Sequence, residues 1–136
     1  MTEPTEPQST YQPEDMVVVL MEGGRSEAHW TPSAKWGNPV GNVHGGYVGV
    51  LVDDVAGMAI YSLVGGSAPT VTLQVDYLHQ MPVGLTYRAI GEVVRAGKAT
   101  AIVDVHVYDP DDQLVARGKC FFQLPSAWRD RKEDDR

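Results

Sequence analysis

The chain is poor in cysteine, poor in positive charge and free of internal repeats, and each shortage removes a class of function. A single cysteine, Cys120, allows no disulfide framework within the chain, which points to a reducing cytosol. Cys120 lies between Lys119 and Phe121 in a segment that reads as a strand, with no activating base legible beside it, so a cysteine nucleophile is not expected. Lys and Arg number 11 against 18 Asp and Glu, a formal net charge of −7. Neither nucleic acid nor an anionic membrane surface is therefore an expected partner. A small anionic ligand is still compatible, because local cations and a helix N-terminus can bind phosphate in an acidic protein. The opening MTEPTEPQST has neither the basic nor the apolar region of a secretory signal, so a cytoplasmic location is expected.

What the chain does have is enough apolar residue for one domain: 43% of its 136 residues are hydrophobic and 21% are charged. Residues 1–15, rich in Thr, Glu, Pro and Gln, read as an acidic tail, and residues 126–136, ending RDRKEDDR, as a charged one. The domain is expected over 16–125. Its main feature is an apolar run from Gly45 to Val64, closed by Gly65 and Gly66, which predicts a long helix. Apolar residues occur on nearly every side of it, while Asp53 and Asp54 near its centre argue against lipid, so a helix buried in the core is expected. Strand character follows at Thr70–His79, Thr86–Arg95, Thr100–Tyr108 and Leu114–Leu124. Turn residues at 96–98 and 109–112 predict an antiparallel meander. In the third of these strands Val103, Val105 and Val107 share one face, with Ile102, Asp104 and His106 on the other. Asp104 and His106 are read as a solvated or subunit-facing surface rather than an acid–base pair.

The chemistry concentrates in WGNPVGNVHGGYVGVLVDD, residues 36–54. There a Gly- and Asn-rich loop enters the helix through His44, Gly45 and Gly46. The first amides of a helix lack intrahelical partners and sit at the positive end of its dipole, so they can stabilise a developing oxyanion. Asp53 is a carboxylate within an apolar helix, and residues three and four away include Gly49, Ala56 and Gly57, which leave space beside it. Asp54 faces larger neighbours. Gly45 and Asp53 are eight residues apart in the sequence, roughly 12 Å along a helix axis. If both act on one carbonyl, the amide and the carboxylate must come from different subunits, which requires at least a homodimer.

The spacing Asn38-x-x-Gly41-x-x-His44-Gly45-Gly46, followed by Asp53, resembles the PaaI-like branch of hot-dog-fold thioesterases, and the resemblance extends over about residues 36–124. It implies an α+β hot-dog fold, an antiparallel β-sheet wrapped around one long central helix. It also implies hydrolysis of an acyl-coenzyme A. Asp53 would be nucleophile or general base, Gly45 would supply the oxyanion amide, Asn38 would position water or thioester, and His44 would orient the loop. Thr72 would assist at the carboxylate. Gly46, Gln74 and His79 would lie toward substrate, and the hairpin residues Arg95, Gly97 and Lys98 would contact coenzyme A. No metal or redox cofactor is implied, coenzyme A being part of the substrate, and family habit suggests a homotetramer. Two competing functions are a non-catalytic acyl-CoA-binding or regulatory hot-dog protein and a hot-dog dehydratase or hydratase. The first has no need of Asp53, and the second needs a His–acid pattern that this segment lacks.

Overall fold

A computed structural model describes residues 15–128. The N-terminal tail expected over 1–15 lies, but for Asp15, outside the described residues, as does 129–136 of the C-terminal tail. The strands are β1 (Met16–Glu22), β2 (Arg25–Trp30), β3 (Thr70–Tyr77), β4 (Tyr87–Ala96), β5 (Thr100–Tyr108) and β6 (Leu114–Gln123), with helix α1 (Gly45–Val64) between β2 and β3. They form one six-stranded antiparallel sheet in the order β1-β2-β4-β5-β6-β3, with α1 packed on one face. This is the hot-dog arrangement that the motif implies.

The β1–β2 hairpin was not anticipated from the sequence. Its β-branched run Val17–Val19 suits a strand, and Gly23 and Gly24, at φ 61° and 87°, supply the turn. The meander holds for β4, β5 and β6 but not for β3. β2 occupies the other side of β4, so β3 pairs with β6 at the far edge.

α1 runs over the residues expected, ending at Gly65 in the left-handed conformation with its N–H donated to the Tyr61 carbonyl. Val48, Leu51, Val52, Val55, Ala59 and Ile60 are buried against the sheet. By length and composition the helix could cross a membrane, but this sealed stripe makes it the core helix of the domain. It is not covered on every side, however. Gly46, Val50, Asp53, Gly57 and Tyr61, spaced at three or four residues, form a half-exposed to exposed stripe. The sheet curves around only one side of the helix, which leaves the small and polar residues outward.

Two glycines set how closely helix and sheet approach. A Cβ on Gly118 would collide with Val52, and one on Gly91 would meet Ser26 Oγ and the Val55 carbonyl. Ser26, fully buried, donates its hydroxyl to that carbonyl at 2.6 Å. β5 alternates as expected, with Val103, Val105 and Val107 fully buried and Ile102, Asp104 and His106 half-buried. At the C-terminus the body extends past residue 125. Residues 126–128 make a helical turn, and the Trp128 indole packs on the core and donates to the Gly97 carbonyl at 3.0 Å. An indole that buries its rings and satisfies its N–H does not belong to a solvated tail.

Candidate active site

The loop before α1 is built on Asn38. Its side-chain oxygen accepts from the amides of Val40 and Asn42, both at 3.1 Å, and its own amide donates to the Asn42 carbonyl at 2.7 Å. Asn38 Oδ1 is thus committed to the turn, which leaves the side-chain NH2 to meet a ligand. Gly41, at φ 85°, completes the turn. The His44 amide then donates to the Trp36 carbonyl at 2.8 Å, and the His44 side chain caps the helix: Nδ1 accepts from the Gly46 amide at 3.0 Å. An accepting Nδ1 places the ring proton on Nε2. Orienting this helix entry is the role that the motif assigns to His44.

The cap distributes the first amides unequally. Gly46 is engaged by His44 Nδ1 and Tyr47 by the His44 carbonyl, while among the described residues no acceptor takes the Gly45 N–H. Gly45 therefore carries the open amide at the positive end of the helix. Its carbonyl accepts from the Tyr77 hydroxyl at 2.7 Å, a tether from the end of β3 that sequence reasoning missed.

Two turns along, Asp53 is half-exposed on the open stripe, and its Oδ1 accepts from the Thr70 hydroxyl at 2.8 Å. The threonine expected here was Thr72. The correction has a physical cause: a β-bulge separates Thr70 from Thr72. Thr70 pairs with the buried Phe122, so it faces the helix, whereas Thr72 pairs with the exposed Phe121 and faces outward. Gln74 follows Thr72 to the outer face. There it lines a small charged depression with Asp104, His106, Arg117 and Lys119, on the opposite side of the sheet from Asp53. Leu73, Val75 and Tyr77 face α1 and, with Gly46, Gly49, Val50 and Asp53, line an open groove of about 400 Å³.

His79 lies beyond the end of β3, with Nε2 3.0 Å from the Gln113 side-chain amide. It shares a cavity of about 500 Å³ with Asn38, on the loop side of the site. Arg95, Gly97 and Lys98 lie in the β4–β5 hairpin, at the end of the sheet where β3 begins, as the pairings Thr100–Gln123 and Thr70–Phe122 indicate. Arg95 is exposed and Lys98 half-buried. The structure thus brings Gly45, Gly46, His44 and Asn38 together at the helix entry and pairs Asp53 with Thr70. It sets Thr72 and Gln74 on the other face.

A further cavity, of about 850 Å³, opens on the other side of Asp53, beside the C-terminal half of α1. Asp53 and Thr70 line it, with Met21, Met58, Tyr61 and Phe122. Asp54 also lines it. Its Oδ2 is shut off from solvent and bonded to nothing among the described residues, and burial, with the charge of Asp53 as a lesser cause, pushes its carboxyl up to about 7. Cys120 is buried, and burial first and Asp53 second push its thiol up to about 12, which removes it as a nucleophile near neutral pH. Among the described residues no group of His, Cys, Asp and Glu is gathered as a metal ion would require.

Comparison with known proteins agrees with this arrangement. The sequence profile of the thioesterase superfamily matches residues 40–116, more than half of the chain. Protein smu.793 of Streptococcus mutans UA159, whose crystal structure was solved bound to acetyl-CoA, is 29% identical; the likeness covers 82% of this chain and 90% of that one, with a TM-score of 0.77. The Escherichia coli PaaI protein, from the phenylacetic acid degradation operon, is 22% identical and shares the fold, at a TM-score of 0.75 over 80% of this chain and 82% of that one. ComA2 of Bacillus subtilis, provisionally named an esterase, is 26% identical over 85 residues, which make up 60% of this chain and 67% of the relative.

Proposed function

The chain belongs to the thioesterase superfamily, and from that premise we propose that it hydrolyses an acyl-CoA thioester to a free acid and coenzyme A, with Asp53 as nucleophile or general base and the Gly45 amide as oxyanion donor. The observation that carries the proposal is the pairing of an open amide at the α1 N-terminus with a carboxylate on the uncovered stripe of the same helix. The acetyl-CoA bound by the Streptococcus mutans relative supports the ligand class.

Two routes use the same groups. In one, Asp53 attacks the thioester carbonyl; the tetrahedral intermediate collapses to a mixed anhydride and expels the CoA thiolate, and water then hydrolyses the anhydride. In the other, Asp53 takes a proton from a water that attacks directly. In both, Thr70 holds Oδ1 and leaves Oδ2 for the reacting partner, while the Gly45 N–H stabilises the negative oxygen. Thiolate is a good leaving group, so neither route asks for a dedicated general acid.

One protomer cannot apply both groups to one carbonyl, because about eight helical residues separate them by roughly 12 Å. A two-fold axis beside the open stripe brings Gly45 of one protomer to Asp53 of the other. The stripe holds Gly46 and Gly57, which permit close approach, and β3 offers beside it an edge that no described strand pairs. The working unit is accordingly at least a homodimer, acting in the cytoplasm, with a homotetramer its further assembly.

Thiol release from a panel of aromatic and straight-chain acyl-CoAs tests the reading. Turnover is expected, and Asp53→Asn, at matched folding and oligomeric state, should lower kcat by at least about 100-fold, the usual worth of a general base or more. Tight acyl-CoA binding without turnover would instead favour the regulatory, non-catalytic alternative.

A further inference from the structure

The mechanism above makes no use of Asp54, although Asp54 borders the cavity that continues from the reacting carboxylate. That cavity, of about 850 Å³, has the size of a small-molecule pocket. Asp53 and Thr70 are among its lining residues, together with the thioether side chains of Met21 and Met58 and the rings of Tyr61 and Phe122. An acyl group whose carbonyl sits at Asp53 would extend into this space. The walls suit hydrocarbon or an aromatic ring, with one exception: a second carboxylic residue, Asp54, borders the space, its Oδ2 buried and unpartnered among the described residues.

Within one protomer, the described residues that line the cavity with Asp54 offer it no counter-charge. From α1 itself come Asp53, also acidic, and Tyr61; from β1 comes Met21; from the connection after α1 comes Ser67; from β3 comes Thr70; and from β6 comes Phe122, with the neutral Cys120 two residues before it. Among the described residues, none that lines the cavity is cationic. An apolar acyl group filling this cavity would bury further a carboxyl that is already half-buried. Stripping water from an ionised carboxylate with no partner is costly, while stripping it from a neutral carboxyl costs far less.

We infer that Asp54 gates the acyl pocket: an apolar acyl group occupies the cavity alongside the neutral carboxyl, so that substrate binding is coupled to uptake of one proton at Asp54. The proton comes from solvent on binding and returns on product release, and no bond other than O–H forms or breaks at this residue. The carboxyl is already poised for the change, since burial and then Asp53 raise it to about 7 in the unliganded protein. The gate commits the pocket to neutral, apolar acyl groups. An acyl group carrying an ammonium would reverse the sign, binding more tightly as Asp54 ionises.

The inference rests on the thioesterase reading, and two measurements separate their failures. First, KM and kcat for octanoyl-CoA and phenylacetyl-CoA are followed from pH 6 to 8. Because only the neutral form accepts the acyl group, KM should rise about tenfold over that interval as the competent fraction falls, and in Asp54→Asn it should no longer depend on pH, whatever its absolute value. An active parent enzyme with a flat KM, or a variant that keeps the rise, overturns the gate. Second, calorimetric titration at pH 7 with a non-hydrolysable thioether analogue of octanoyl-CoA, in two buffers of different ionisation enthalpy, should show uptake of roughly half a proton per site in the parent and none in Asp54→Asn. Absence of uptake in the parent overturns the gate even if no acyl-CoA is turned over. Absence of turnover with uptake intact overturns the hydrolase reading and leaves the gate standing.

Discussion

Strands β5 and β3 belong to one sheet and carry similar apolar alternation, yet among the described residues one is covered and the other is left partly exposed. On β5, Val103, Val105 and Val107 are wholly buried beneath α1. On β3, Leu73 and Tyr77 point to the same side of the sheet but remain 42% and 55% exposed. β5 has a hydrogen-bonded neighbour on each side, whereas among the described residues β3 has β6 alone. Alternation therefore states which face of a strand seeks cover, not whether its own chain supplies that cover. The partly exposed strand also touches the chemistry: Thr70 holds Asp53, and Tyr77 holds the Gly45 carbonyl.

The comparison can be broken by placing the same charge on each strand. Val105→Asp should destabilise the fold by about 4 kcal/mol or more, because the charge enters a sealed core without a partner; a circular-dichroism melt would show the cooperative transition lowered or gone. If the site is shared by two protomers as proposed, Leu73→Asp should instead leave a folded monomer by light scattering, with near-parental far-UV spectrum, and cost at least about 100-fold in hydrolysis. A Leu73→Asp variant that stays dimeric and active would show that β3 needs no second copy.

A finer contrast lies within β3. Thr70→Val should lower kcat about tenfold, the worth of a hydrogen bond to a charged group, while Thr72→Val should change it less than about twofold. The opposite ranking in thiol-release rates would put Thr72 at the carboxylate after all.

The smallest expected effect concerns stability and pH. Asp54 has a folded-state pKa near 7 against an ordinary value of 3.8. As pH rises through that window the unfolded chain gives up the proton first, so the carboxyl progressively disfavours the folded state. Asp54→Asn is released from this, and its advantage in Tm over the parent should be larger at pH 8 than at pH 4. A Tm difference that does not vary with pH would mean that the carboxyl is better solvated than its position implies.

Local signals were legible in the sequence. The Gly65 stop and the apolar run marked α1 to the residue, and the turns at 96–98 and 109–112 marked the β4–β5–β6 meander. His44 and Gly45 could be assigned to the helix entry because capping involves only the residues adjoining it. What could not be read depends on contacts distant in the chain. β2 turns only Ser26, Ala28 and Trp30 inward, a mixed set without a clear strand signature. The place of β3 beside β6 follows from β2 having taken the position beside β4. Asn38 was legible by residue type alone; the contacts add that its oxygen is held by the loop that it forms, so that only its side-chain NH2 can turn to a ligand.

The bulge at the start of β3 acts as a dislocation does in a crystal. After it the strand keeps its two-residue rhythm, but Thr70 before it is out of phase with that stretch, so that Thr70 and Thr72, two apart in sequence, look to opposite sides. A count of residues from Asp53 is therefore not an address in space. Any relative that gains or loses a residue between the helix and this point would change which hydroxyl meets the carboxylate without altering a single side chain in the strand. The partner of Asp53 is set by a defect in the backbone pairing, and alignment by residue type alone would overlook it.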